Sequence, residues 1–370
     1  WCDFLENEET HMQRRGWAGQ GTEVGFRERQ WRLAFGRVKF ALADVRRALE
    51  RKAGFNPDQP RDDHGRWTDT GGGGGQSIVQ DTTGNEPWEH VVRDRRADGS
   101  LAQELVFNRD GSTIHSEFAR AGDGLAWDER HTVVTTSGER ILFETAGEVQ
   151  TIADANSGDV LGASRWTDAG PEREGAAAAG ANRAAAAKTV EAAAALWVWL
   201  STRNDADGSA VLAFKADDYR PGEAPAATPS WVGRLTRDET DAACPRHTEV
   251  QSRTDDAADT VRREGNYWTA AEYGTRVHKN LERQIKFLDD PNFVAEQSMS
   301  KVREEARYGE PGTIRIDVIE NVGNGTVCVY DIKTGRRGLS TARSAEIVGA
   351  VFKRYRGTNR IILIETRPRK

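Results

Sequence analysis

The sequence predicts a multidomain α+β chain, and three observations carry that expectation. Short β-type runs separated by turn pairs fill much of the first half, an alanine-rich stretch follows them, and near the C-terminus an amphipathic helix pattern precedes two apolar strands. The 370 residues suffice for two or three cores. Only 37% are hydrophobic, however, while 30% are charged and 37 are glycine, so part of the length is expected in linkers.

Residues 1–53 are expected as a basic helical arm. Leu33, Phe40, Val45 and Leu49 recur between arginines and lysines from Glu23 to Ala53. Residues 54–77 are expected as a Pro/Gly-rich linker, because FNPDQPRDDHGRWTDTGGGGG (Phe55 to Gly75) is dense in breakers and ends in five glycines. Its first fourteen residues resemble a segment of phage-like virion and head-assembly proteins that lies between modules. The chain begins at Trp1 without a basic-then-apolar leader, which reads as an incomplete or processed start and leaves any export route open.

Residues 78–170 predict a β-rich meander. ELVF, TIHSEF, HTVVTT and RILFET are separated by DGS twice, SGER and SGDV. The pattern loosely resembles the YD-type repeats of bacterial polymorphic toxins, though no strict period holds. Residues 171–205 predict a helical spacer: AAAA occurs three times and LWVWL follows, with Leu196, Trp197 and Leu200 as its packing positions. This apolar run falls well short of the ~20 residues that a membrane span needs, so no membrane helix is expected. Residues 206–260 are expected as an irregular connection. Their CPRH motif offers Cys244 and His247 to zinc, but no second ligand pair follows. Cys2, Cys244 and Cys328 are odd in number and widely spaced, which predicts no disulfide framework and a reducing compartment.

Residues 261–370 are expected as the domain that carries chemistry. Thr269 and Glu272 form a T-x-x-E capping box. Tyr273, Val277, Leu281, Ile285 and Leu288 then make an apolar stripe at helical spacing. Gly274, His278 and Glu282 form a polar seam beside it. Two strands follow around Asn324-Gly325, a hairpin turn signal. Asp317 and Asp331 each lie seven residues from Asn324, so a hairpin centred there sets their β-carbons ~5 Å apart. Alternation puts Val327, Val329, Asp331 and Lys333 on one face of the second strand. Two carboxylates held that close repel unless a cation lies between them. Oxygen ligands at this spacing suit Mg²⁺ or Mn²⁺, with a neighbouring lysine to act on water or phosphate. A surface hairpin bearing an Asp-Lys pair would show the same spacing. Ile332 to Lys370 holds 11 basic and two acidic residues, a balance suited to a polyanionic partner.

Asp317 followed by the triplet Asp331-Ile332-Lys333 resembles the signature of the PD-(D/E)XK superfamily, the restriction-endonuclease-like nucleases. GTRVH, Gly274 to His278, is similar to the G-x-x-x-H motif of the RecB-like branch. The resemblance covers roughly the last hundred residues and implies a restriction-endonuclease-like α/β core, a mixed sheet flanked by helices. It implies that Asp317 and Asp331 bind metal, that the Ile332 carbonyl completes the set, that His278 adds a ligand and that Lys333 acts on water or the scissile phosphate. Glu296 is the preferred additional acid, with Glu282 as the other candidate. Arg336, Arg337 and Arg343 are expected to touch nucleic acid. Ile316 stands where the nominal motif has proline, and the branch's Q-x-x-x-Y helix is replaced by LSTARSAEIVGAVFKRY. The expected function is a metal-dependent endonuclease, with DNA as its substrate and RNA as the alternative. It would serve as the C-terminal effector of a phage-associated or polymorphic-toxin-like protein, with a cytoplasmic site of action and an immunity protein as partner. A structural protein of a phage-like particle that binds nucleic acid without cutting it is the other reading.

Overall fold

Hairpin turns order the first sheet. The computed structural model describes residues 75–174, 183–203, 208–216, 227–300, 313–335, 338–355 and 357–369. Nine strands follow one another in sequence and in space: β1 (Gln76–Gln80), β2 (Trp88–Arg95), β3 (Leu101–Asn108), β4 (Thr113–Phe118), β5 (Glu129–Val134), β6 (Arg140–Ala146), β7 (Val149–Asp154), β8 (Val160–Thr167) and β9 (Gly170–Arg173). Each adjacent pair is antiparallel. The two DGS turns show why. Asp98 Oδ1 accepts from Ser100 N at 3.0 Å and from Ser100 Oγ at 2.6 Å, while Gly99 sits at φ 82°. Asp110, Gly111 and Ser112 repeat the arrangement. The expected meander is therefore present, running from residue 76 to residue 173.

Helix α1 (Arg183–Ser201) corrects the expectation of a spacer. Ala192, Ala193, Ala194, Leu196, Trp197, Trp199 and Leu200 are buried. A helix apolar on all sides belongs inside a protein, and here its partners are β5 and β6 of the first sheet on one side and two strands of a second sheet on the other.

That second sheet has six strands in the order β11-β10-β15-β14-β13-β12. They are β10 (Gly208–Ala216), β11 (Ala227–Thr236), β12 (Phe293–Ser300), β13 (Thr313–Asn321), β14 (Thr326–Ile332) and β15 (Arg360–Thr366). Only β14 and β15 pair in parallel, across a connection that contains helix α5 (Thr341–Arg354). Helices α2 (Arg237–Ala243), α3 (His247–Glu264) and α4 (Ala270–Lys286) lie between β11 and β12 in the chain. Residues 206–260 are thus not irregular where they are described. Arg234 explains part of this order, since its guanidinium donates to the carbonyls of Leu200, Arg203 and Gly208 and ties the end of α1 to β10.

The sheet separates two cores. Val327 and Val329 of β14 face the core shared with α1, α5 and the meander, whereas Cys328, Tyr330 and Ile332 face the one built with α2, α3 and α4. The expected alternation along β14 is what the structure shows. A separate domain starting at residue 261 is not: β10 pairs with β15, Val211 opposite Ile364, so the sheet needs residues from before that boundary. All described residues belong to one compact unit, Gly72–Lys370. The arm and most of the linker, residues 1–74, lie outside the described residues, as does the FNPDQPR segment.

The cysteine expectation is also corrected. Cys244, just after α2, and Cys328 of β14 form a disulfide with Cα atoms 6.0 Å apart and a separation of 84 positions in sequence. The fold lays the α2–α3 junction over β14, a proximity that spacing does not reveal. Zinc at CPRH is excluded with it. His247 is instead held between Asp241, 2.8 Å from Nδ1, and Ser209, 2.9 Å from Nε2. Among the described residues no helix is long and apolar enough to cross a membrane.

Candidate metal centre

Helix α4 is placed by its cap and by a glycine. Thr269 accepts from Glu272 N at 3.1 Å, while the Glu272 carboxylate takes the amide of Trp268 at 3.0 Å rather than that of Thr269, so only half of the expected box forms. At Gly274 the helix meets the chain just beyond β14, where an added Cβ would come 2.7 Å from Thr334 Oγ1. This approach brings His278, one turn further on, over the sheet.

The sheet supplies carboxylates at one level. Ala295 pairs with Val318 and Gln297 with Ile316, leaving Glu296 opposite Asp317 outside the ladder. Glu296 has φ 53°, a left-handed backbone costly for a residue with a side chain. Between β13 and β14 the register runs to Val318 opposite Tyr330, and continuing it sets Asp317 opposite Asp331. There the Asp317 side chain replaces a backbone acceptor, its Oδ2 taking Ile332 N at 2.8 Å. Asp331 in turn stands beside Glu365 in the parallel ladder. Four acids therefore lie across four adjacent strands.

His278 Nδ1 is 3.2 Å from Glu296 Oε1 and 3.5 Å from Asp317 Oδ1, and its Nε2 is 3.2 Å from the Ile332 carbonyl. Both ring nitrogens thus face acceptors, as in an imidazolium. Burial pushes its pKa down, but the Glu296 hydrogen bond and the Asp317 and Glu296 charges outweigh it and leave it raised. Burial raises Asp317 and Asp331 above the usual carboxylate range, against the pull of His278 on the first and of Lys333 on the second. Lys333 Nζ lies 2.5 Å from Asp331 Oδ2, an ion pair without hydrogen-bond alignment. Glu296 is also paired with Arg315, 2.5 Å away.

These groups open on a cavity of about 480 Å³, with His278, Asp317, Asp331, Lys333, Arg315 and Arg343 in its wall. His278, Glu296 and Asp317 bring ligand atoms within 4.8 Å of one another. Asp331 stands outside that group, next to Lys333. Glu282, the alternative acid, is paired with Lys286 at 2.6 Å. Arg343, on α5, donates to the Arg315 carbonyl at 2.8 Å, while Arg336 and Arg337 lie outside the described residues. An imidazole and two carboxylates form a hard donor set that fits Mg²⁺ or Mn²⁺, while the Ile332 carbonyl, expected as a further ligand, faces the other ring nitrogen, Nε2. Glu365 Oε2 is buried without a hydrogen-bond partner among the described residues, further acceptor capacity beside the group. To serve as a ligand, His278 has to release a proton.

Sequence reasoning missed Glu365, Arg315 and Thr334. Glu365 carried a signal, a single acid in the apolar run RIILIET, and burial raises its pKa although Arg367 pairs with it at 2.6 Å. No family model matches this chain, and no curated protein or solved structure does.

Proposed function

We propose that the site around His278, Glu296 and Asp317 belongs to a metal-dependent nuclease that hydrolyses phosphodiester bonds, with DNA as the expected substrate. The convergence of those three side chains, two of which, His278 and Asp317, line a cavity together with Lys333, Arg315 and Arg343, carries this reading. The mixed six-stranded sheet with helices on both faces is in keeping with a restriction-endonuclease-like core, and the Asp317…Asp331-Ile332-Lys333 set with that superfamily's signature.

When bound, a divalent cation supplies Lewis-acid polarisation of the phosphoryl group and a water of lowered pKa. His278 through Nδ1, Glu296 and Asp317 would hold it, with Nε2 donating to the Ile332 carbonyl. Lys333, anchored by Asp331, donates to a non-bridging phosphate oxygen or to the attacking water. Arg315 and Arg343 neutralise the phosphates on either side. The role of effector in a phage-associated or polymorphic-toxin-like protein, with an immunity protein as partner, rests on the sequence resemblance.

The test uses the full chain, supercoiled plasmid and a structured RNA, with Mg²⁺ or Mn²⁺ and with excess chelator. Plasmid nicking that requires metal and is lost in Asp317→Asn is the expected result. Equal cleavage in chelator would sink the metal mechanism, cleavage of RNA alone would make the protein an RNase, and binding without cleavage would favour the assembly-protein reading.

A further inference from the structure

A second cavity, of about 500 Å³, opens between the first sheet and the end of α1. Trp88, Arg93 and Arg95 of β2 line it together with Trp199 of α1 and Arg203, and Glu86 adds one acid. Helix α1 stands between this cavity and the metal centre. Its Val198 would touch a Cβ placed at Gly338, in the wall of the first cavity, whereas the next residue, Trp199, lines the second.

A buried acid builds the site. The Glu104 side chain is wholly buried and accepts from Arg93 Nε at 2.6 Å and from Trp199 Nε1 at 3.1 Å. One carboxylate thus fixes a guanidinium and an indole together. Burying a charge is costly, and here the burial orients two groups that line an open cavity. Trp88, half-buried, meets Trp199 edge-on with ring centroids 6.4 Å apart. Arg95 is steadied by the Gly99 carbonyl at 2.7 Å, and the Arg203 guanidinium lies 5.6 Å from the Phe118 ring centroid. The Glu104 carboxylate offsets Arg93. Arg95 and Arg203 then stand against Glu86 in the cavity wall, with the Glu129 charge also acting on Arg203 from outside it, beside an aromatic wall.

We infer that this cavity binds a nucleotide unit, a flat aromatic ring carrying a phosphate, with the ring against Trp88 and the phosphate between Arg95 and Arg203. Guanidinium forks match phosphate oxygens. An indole face takes any base, since every base has a π-face. The cavity is of the size that small-molecule sites occupy. The same chemistry is offered by a free nucleoside monophosphate and by one nucleotide of a single strand. The inference does not depend on cleavage at the metal centre.

Binding to the full chain is measured in chelator, so that no metal-supported cleavage occurs, by calorimetry with AMP, adenosine, inorganic phosphate and a ten-nucleotide single-stranded DNA. AMP is expected to bind, with adenosine and phosphate each at least about tenfold weaker, because either loses one half of the contact. Displacement of AMP by the oligomer at lower concentration than by unlabelled AMP identifies a strand as the source; the reverse order identifies the free nucleotide. Arg95→Ala and Arg203→Ala should each weaken AMP binding about tenfold. Trp88→Ala should abolish it, while Trp88→Phe, which keeps a ring and the fold, should retain most of it. The inference is overturned if neither AMP nor the oligomer binds at millimolar concentration, if adenosine binds as well as AMP, or if both arginine variants bind AMP like the parent while melting normally.

Discussion

His278 touches three strands at once, through Glu296 on β12, Asp317 on β13 and the Ile332 carbonyl on β14. Removing it should therefore do two separable things. In His278→Ala, cleavage supported by Mn²⁺ is expected to fall about 10- to 100-fold, the usual cost of disturbing a metal site's ligand set. In chelator the melting temperature should also fall, because Glu296 and Asp317 would face each other without the ring between them. Unchanged kinetics and metal requirement with only a lower melting temperature would make His278 a boundary residue of α4. His247, at the start of α3, makes a contrasting case. Burial holds its pKa below the ordinary 6.5, against a hydrogen bond and a charge from Asp241. The unfolded chain then takes up the proton more readily than the folded one, so this histidine's contribution to stability is present above 6.5 and is lost as pH falls through 6.5 toward the folded value. Asp241→Asn removes the opposing influence. An NMR titration should show the ring protonating at still lower pH, and a titration that stays put or moves up would contradict the assigned contact.

Gly274 sets how closely α4 can lie to the end of β14. An alanine there gains roughly 0.5–1 kcal/mol of helix propensity, but its methyl would meet Thr334 Oγ1, so either the hydroxyl turns or the helix lifts. Because Thr334 lines the cavity and His278 rides on the same helix, Gly274→Ala is expected to lower cleavage several-fold with little net change in stability. Adding Thr334→Ala should remove the clash and leave the propensity gain, making the double variant more stable than Thr334→Ala alone. Denaturant midpoints and cleavage rates of the four proteins would show whether this coupling exists, and strict additivity would argue against the contact. At this scale the sequence is informative where pattern is local. Alternation along β14 and the Asn324-Gly325 turn indicated which face Asp331 and Lys333 share and that Asp317 stands opposite Asp331, and helical spacing put Gly274 and His278 on one seam. What local pattern cannot carry is the left-handed backbone at Glu296, the Arg315 partner across β12 and β13, or the parallel neighbour Glu365, which arrives only after α5 has crossed the sheet. The Cys244–Cys328 disulfide was hidden for the same reason, its partners being joined by the packing of a helix junction on a strand.

Domain boundaries were the least legible feature, because linker-like composition did not mark independence. The alanine-rich stretch reads as a spacer by propensity, yet small side chains are what let α1 sit between two sheets. The turn-rich stretch after it supplies β11 and β10, and the pairing of β10 with β15 joins residues more than a hundred positions apart. A fragment from Thr260 to Lys370 would keep the residues around the candidate metal centre but strip β10 from β15 and α1 from the core facing Val327 and Val329. Ile361, Ile362, Leu363 and Ile364, all buried in the whole protein, would then form an exposed edge strand, an aggregation hazard. The fragment is expected to be insoluble, or soluble without cooperative unfolding and without metal-supported cleavage. A chain from Gly72 to Lys370 should unfold cooperatively, since it contains both sheets and every described helix. Thermal unfolding followed by circular dichroism would compare the two directly. A cooperative transition in the short fragment at the temperature of the long one would mean that the nine-stranded sheet and α1 are dispensable to the site, and would return the C-terminal hundred residues to the status of an independent domain.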